Sequence, residues 1–157
     1  MSGEVAASGD QRTLLRHALA TIGYRATRAI EGAPPAFATY DAGGGARSPI
    51  EILAHMGDLM DWALSAARGA VEWHSAIPKH WDQEASRFFK ALVDFDAFIG
   101  SHGSLGWPES TFMQGPVADA LTHVGQLTLL RRAAGAPVVF ERYSQAPIVI
   151  GKVDYRR

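Results

Sequence analysis

The chain contains no cysteine, which excludes disulfides, thiolate metal ligands and a cysteine nucleophile together. It lacks any apolar run approaching the ~18 residues that a membrane-spanning helix needs. An excess of one charge is missing too: 15 lysines and arginines stand against 16 aspartates and glutamates, for a formal net charge of −1. Nothing in that balance recruits nucleic acid or an acidic membrane. The pairs Arg131–Arg132 and Arg156–Arg157 are too short to count as basic patches. The opening MSGEVAASGD has no apolar centre and carries an acid, so no secretory signal is expected and a cytoplasmic location follows. Gly-x-Ser-x-Gly, a Gly-rich dinucleotide loop and His-Glu-x-x-His are all absent. Three consecutive glycines, Gly43 to Gly45, precede no Gly-Lys-Ser and read as slack between elements.

What is present describes one globular domain over residues 1–157. Hydrophobic residues make up 47% and charged residues 20%, a composition that buries a core and stays soluble. Four segments of about 20 residues carry helical periodicity, at about 10–30, 49–68, 79–101 and 116–134. The first sets Leu14, Leu15, Ala18, Leu19, Ile22, Ala26 and Ala29 on one stripe and stops at EGAPP. The second opens on SPIE, with Ser48 as N-cap, Pro49 at the first helical position and Glu51 closing a capping box. The third repeats Trp81, Ala85, Phe88, Leu92, Phe95 and Ile99 at steps of four and three, the period of near-parallel packed helices. The fourth is bracketed by Gly115–Pro116 and GAP, with Ala120, His123, Leu127, Leu130 and Ala134 on its stripe. The expected fold class is all-α, a four-helix bundle. The tail 137–157 is β-branched and proline-punctuated, suited to a small hairpin or an extended arm, laid over the bundle or reaching a partner subunit.

Polar residues interrupt two of the apolar stripes. His55 lies mid-way along the second helix, and His123 does the same on the fourth, with Asp119 one turn before it on the same face. A carboxylate buried without a partner costs several kcal/mol, and a divalent metal is one partner that removes that cost. Two imidazoles and a carboxylate from facing helices make a three-ligand set with coordination positions left open. Two blander readings stand beside it. A histidine on an apolar face is commonly a hydrogen-bonded core residue, so His55 and Asp119 would simply pair. And with Gly115 as cap, Asp119 falls in or just past the first turn, where an acid suits the helix dipole.

The fragments SPIEILAHMGDLMDWAL and GPVADALTHVGQLTLLRRAAGAPV resemble the DinB-like superfamily of bacterial proteins. The likeness runs from the second helix to Pro137. It implies a four-helix bundle, often a homodimer, with a crossover between helices two and three through GAVEWHSAIP. It also implies a metal held by one histidine of helix two and an H-x-x-x-H pair of the last helix. His55 matches the first position and His123 the last; where the pattern has the other histidine, this chain has Asp119. A carboxylate there keeps a ligand and shifts preference toward harder ions than three imidazoles select. Zinc or nickel is expected first, manganese or iron next. Asp58 is expected as a reserve ligand or a partner to a ligand, and Gln126 as a residue that orients one.

Relatives of this type include thiol-dependent transferases and an isomerase. The resemblance therefore implies a metal-dependent transferase that activates a low-molecular-weight thiol, or water in a hydrolase, against a small electrophile. With no cysteine in the chain, a cosubstrate would supply the sulfur. The alternative is a non-catalytic stress or ligand-binding dimer whose metal site is degenerate. Trp62, Trp73, Trp107 and Phe112 are candidates to line an apolar pocket, with Trp62 and Trp81 the more suited to core packing. His17, His74, His80 and His102 are assigned to the surface. Asp94 and Asp96 are read as a solvated edge of helix three.

Overall fold

The computed structural model describes residues 2–101 and 103–157, with side chains from residue 9 onward; His102 lies outside the described residues. The chain forms four long helical arms and, among the described residues, no strand. They are α1 (Ser2–Ile30), α2 (Pro49–Ala67), α3 (Trp81–Ser101) and a composite last arm. That arm starts as α4 (Glu109–Phe112), widens into a π turn at Met113–Val117, and continues as α5 (Ala118–Ala133). No helix among the described residues is long and apolar enough to cross a membrane.

The capping signal at SPIE is realised. The Glu51 carboxylate accepts from the Ser48 backbone N–H at 2.7 Å and from its hydroxyl at 2.8 Å. At the other end Gly69, at φ +80°, supplies the left-handed turn that stops α2. Two boundaries differ from the sequence reading. Helix α1 begins before Asp10, and its Leu14, placed on the apolar stripe, is 61% exposed. The last arm begins at Glu109 rather than at Gly115–Pro116. Pro116 sits inside the helix, and having no N–H it cannot serve the ordinary ladder, so a π turn accommodates its ring.

Side-chain contacts fix how the arms run. Arg16 pairs with Asp96, and Arg12 reaches Gly103, so α1 and α3 are antiparallel. Arg87 contacts Asp58 and Ala54, while Arg68 lies over Phe98, so α2 and α3 are parallel. Arg12 meets Glu109 and Arg131 meets Ala29, so α1 and α5 are parallel. The link 68–80 must therefore run back along α2, and it does. Glu72 is tied to Ser65, Trp73 lies against Trp62 and His55, and the Ala76 N–H donates to Asp58. The result is an up-down-down-up bundle with α2 flanked by α3 and α5.

The interior is filled by Leu19, Ile22, Met56, Met60, Phe88, Phe89, Leu92, Phe95 and Phe112, all essentially without solvent exposure. The buried charged residues come with partners. Asp96, expected on a solvated edge, is 3% exposed and takes two hydrogen bonds of 2.9 Å from the Arg16 guanidinium. Asp58 and Glu84 are buried around Arg87, which contacts them at 3.0 Å each and lies directly over Gly57, where a Cβ would come within 2.7 Å of its Cζ. At the end of the bundle, Arg131 is buried and donates to the carbonyls of Ala29, Glu31 and Ala136. It thereby serves the negative end of α1 as a side-chain cap.

Residues 134–157 carry one short 3-10 turn, Tyr143–Gln145, and no strand. They lie across α1. Val153 is buried, and Tyr155 stands edge-on to Tyr24 at 5.1 Å. Beyond α1, Arg156 covers the Phe89 ring of α3 at 4.4 Å.

Candidate metal centre

Three side chains from two antiparallel helices meet part-way along the bundle. His55 comes from α2, and Asp119 and His123 come from α5. One ligand atom from each lies within 4.8 Å of the other two. The imidazole rings of His55 and His123 stand at 89° with centroids 4.8 Å apart. The helical step of four stacks Asp119 over His123, and the antiparallel α2 brings His55 to the same level.

The environment of each group differs. His123 is 8% exposed, and its Nδ1 lies 2.8 Å from the Gln126 side-chain oxygen. An amide oxygen only accepts, so Nδ1 is the donor in this contact and Nε2 is the nitrogen that would ligate. His55 is half-buried and packs against Trp73 at 5.7 Å. Its pKa is pushed below the ordinary imidazole value, first by burial and then by the nearby His123 and Arg47, against the pull of Asp119 and Asp58. It is accordingly neutral at pH 7, the form that ligates.

Asp119 is exposed, which corrects the reading of it as a buried carboxylate. The centre sits at the edge of the bundle and opens to solvent. Asp119 therefore bears no desolvation cost that a metal would relieve, and the convergence of donors alone points to a cation. The helix dipole does not account for Asp119 either. The helix that holds Asp119 starts at Glu109, well over two turns earlier, so Asp119 is not in its first turn. Nor does the pairing of His55 with Asp119 occur: among the described residues, neither side chain makes a hydrogen bond or ion pair.

The donor set fits a divalent ion. Ligands on one ion at ~2.1 Å lie no more than ~4.2 Å from each other. The present separations are all within 4.8 Å, near that bound, and Asp119, exposed and without a hydrogen bond or ion pair among the described residues, can swing its carboxylate inward. The π turn ends at Val117, two residues before Asp119, and such widenings recur at functional sites.

Other sequence candidates are placed elsewhere. Asp58 is taken up by Arg87 and the Ala76 amide and does not join the three. Among the aromatics, Trp73 alone touches the centre. Trp62 meets Trp73 and Trp107, and Trp107 meets Phe112, in a chain of rings that leads away into the core, where Phe112 has no exposure. The cavity beside the centre is on the opposite side. It has a volume of about 260 Å³ and is lined by Ala46, Arg47, Ile52, His123, Gln126, Leu129 and Leu130. Arg47 and Leu129 were missed as site residues. Arg47 directly precedes the Ser48 cap, and only that adjacency to the start of α2 hinted at it.

Comparison with known proteins gave no match: no family model, no curated protein and no solved structure matches the chain.

Proposed function

We propose that the chain is a DinB-like metal protein in which His55, Asp119 and His123 hold one divalent ion, zinc or nickel first and manganese or iron next. The observation that carries this reading is the convergence of three donors, two of which, His55 and Asp119, make no hydrogen bond or ion pair among the described residues. The up-down-down-up arrangement of the arms and the resemblance of the α2 and α5 fragments support it. Bound there, a divalent ion supplies Lewis acidity and lowers the pKa of a small thiol or water. The chain's own residues do the rest. Gln126 fixes the tautomer of His123, the burial of His55 keeps its lone pair free of a proton, and Trp73 shields one side from solvent. Asp119 leaves a solvent-facing approach for the reactants.

The activity proposed is transfer or addition of a low-molecular-weight thiol to a small electrophile, or hydrolysis, in a cytoplasmic homodimer. Metal analysis of untagged protein tests the foundation. Near-stoichiometric metal, lost in His55→Ala and in His123→Ala, is expected. Metal-free protein whose melting does not respond to zinc, nickel or manganese would overturn the reading in favour of a non-catalytic bundle. A panel of thiols against electrophiles then tests the chemistry.

A further inference from the structure

The 260 Å³ cavity beside His123 has walls of one character and a rim of another. Ile52, Leu129, Leu130 and Ala46 supply aliphatic surface, and Leu129 is left 65% exposed to do so. At the rim stands Arg47, exposed and, among the described residues, without a hydrogen bond or ion pair. His123, buried, and Gln126, exposed and bonded to it, line the cavity and link it to the three-donor centre.

We propose that this cavity binds a small aliphatic monocarboxylate, with its head on the Arg47 guanidinium and its tail against Ile52, Leu129 and Leu130. The inference deepens the reading of His55, Asp119 and His123 as a cation centre and rests on it for the direction in which the ligand lies. Arg47 offers a planar fork that matches a carboxylate, and the nearest acid that acts on it electrostatically, Glu51, is held by the Ser48 N–H and hydroxyl rather than by the guanidinium. A divalent ion held at the centre would outweigh Asp119 and, together with Arg47, would favour an anion over an alcohol or an amine. Size limits the tail. An apolar cavity of ~150 Å³ holds benzene, so this one takes about ten non-hydrogen atoms. Hexanoate fits that limit, whereas a long fatty acid does not.

The test titrates zinc-loaded and metal-free protein with hexanoate, 1-hexanol and hexylamine by calorimetry, in the wild type, Arg47→Gln and Ala46→Trp. Both substitutions are at exposed positions outside the donor set. Hexanoate is expected to bind about ten-fold or more tighter than hexanol, with hexylamine weakest, which is the worth of one charge-assisted hydrogen-bonded pair. Arg47→Gln should bring hexanoate down to the level of hexanol with zinc content and melting unchanged. Ala46→Trp should weaken both by filling the cavity. Equal binding of hexanoate and hexanol, binding of neither, or an Arg47→Gln protein that keeps the preference would overturn the proposal. Zinc content, read on the same samples, separates the two claims. Protein that takes up no zinc but binds hexanoate through Arg47 refutes the cation centre alone, and zinc-loaded protein indifferent to hexanoate refutes the carboxylate site alone.

Discussion

His55 and His123 meet edge to face, with ring planes at 89° and centroids 4.8 Å apart, although 68 positions of sequence separate them. Such a contact between two imidazoles persists only when at least one is neutral, since two imidazolium rings this close repel each other. The burial and neighbours of His55 assign the neutral form to it.

A pH dependence of stability follows, with a definite sign. The pKa of His55 is lower in the folded protein than in the unfolded chain, so the unfolded chain binds the proton more readily. The contribution is full above the ordinary imidazole range and is lost as pH falls toward the depressed value. Metal-free protein is expected to melt at progressively lower temperature from pH 7.5 to 5.5, and His55→Gln should flatten that profile. An unchanged slope in the variant would show that other groups set it.

Gln126 bonds His123 and is expected to act through it. Gln126→Ala should leave melting of the metal-free protein within experimental error and lower metal affinity by about 10–100-fold, the usual cost of losing the partner that orients a histidine ligand. Competition against a chelator of known affinity reads this directly. Gln126→Glu, which keeps an acceptor at the same reach, should restore most of the affinity.

Part of this was legible in the sequence, and the physical reasons for the rest are specific. The Ser48–Glu51 box and the i, i+4 placement of Asp119 and His123 are local, and local patterns survive folding. Pro116 misleads because proline serves equally at a helix start and, with one extra residue in the turn, inside a helix. The exposure of Asp119 depends on how far α5 is rotated against α2, which no stripe on α5 alone reveals. Asp58, Asp96 and Glu84 are buried because arginines meet them: Arg16 on α1, and Arg87, which neighbours Glu84 on α3 but reaches Asp58 across to α2. The pocket lay on the aliphatic side of His123 rather than the aromatic side, since the tryptophans were needed to stack the 68–80 link onto α2.

Arg87 is the strongest case for a purely structural charge. Its removal would take the guanidinium from two buried carboxylates, Asp58 at 6% and Glu84 at 3% exposure, leaving them the Ala76 and Lys79 N–H groups. Arg87→Ala should therefore cost about 3 kcal/mol, the lower end for breaking a buried pair because the guanidinium is itself part exposed. Gly57→Ala should cost less and act through the same network, since its Cβ would push the guanidinium aside. Urea denaturation of both variants checks the order, and metal content should be unaffected in either.

Gly23 carries the attachment of the C-terminal segment to α1. A Cβ built there lies 1.8 Å from the carbonyl oxygen of Val153, which is backbone and cannot rotate away. Gly23→Ala therefore has to lift residues around Val153 off the helix, exposing that buried side chain and separating Tyr155 from Tyr24. Helix propensity works the other way, since alanine in place of a mid-helix glycine stabilises α1 by ~1 kcal/mol. The close approach should win, because burying Val153 alone is worth about 1.5–3 kcal/mol and the aromatic contact adds to it. Net destabilisation of ~1–2 kcal/mol is expected, together with faster proteolytic cleavage within residues 146–157 and unchanged metal stoichiometry. An alanine variant as resistant to protease as the wild type would mean that the segment is held by the Arg28–Glu141 pair and by Arg156 over Phe89 rather than by its fit against Gly23.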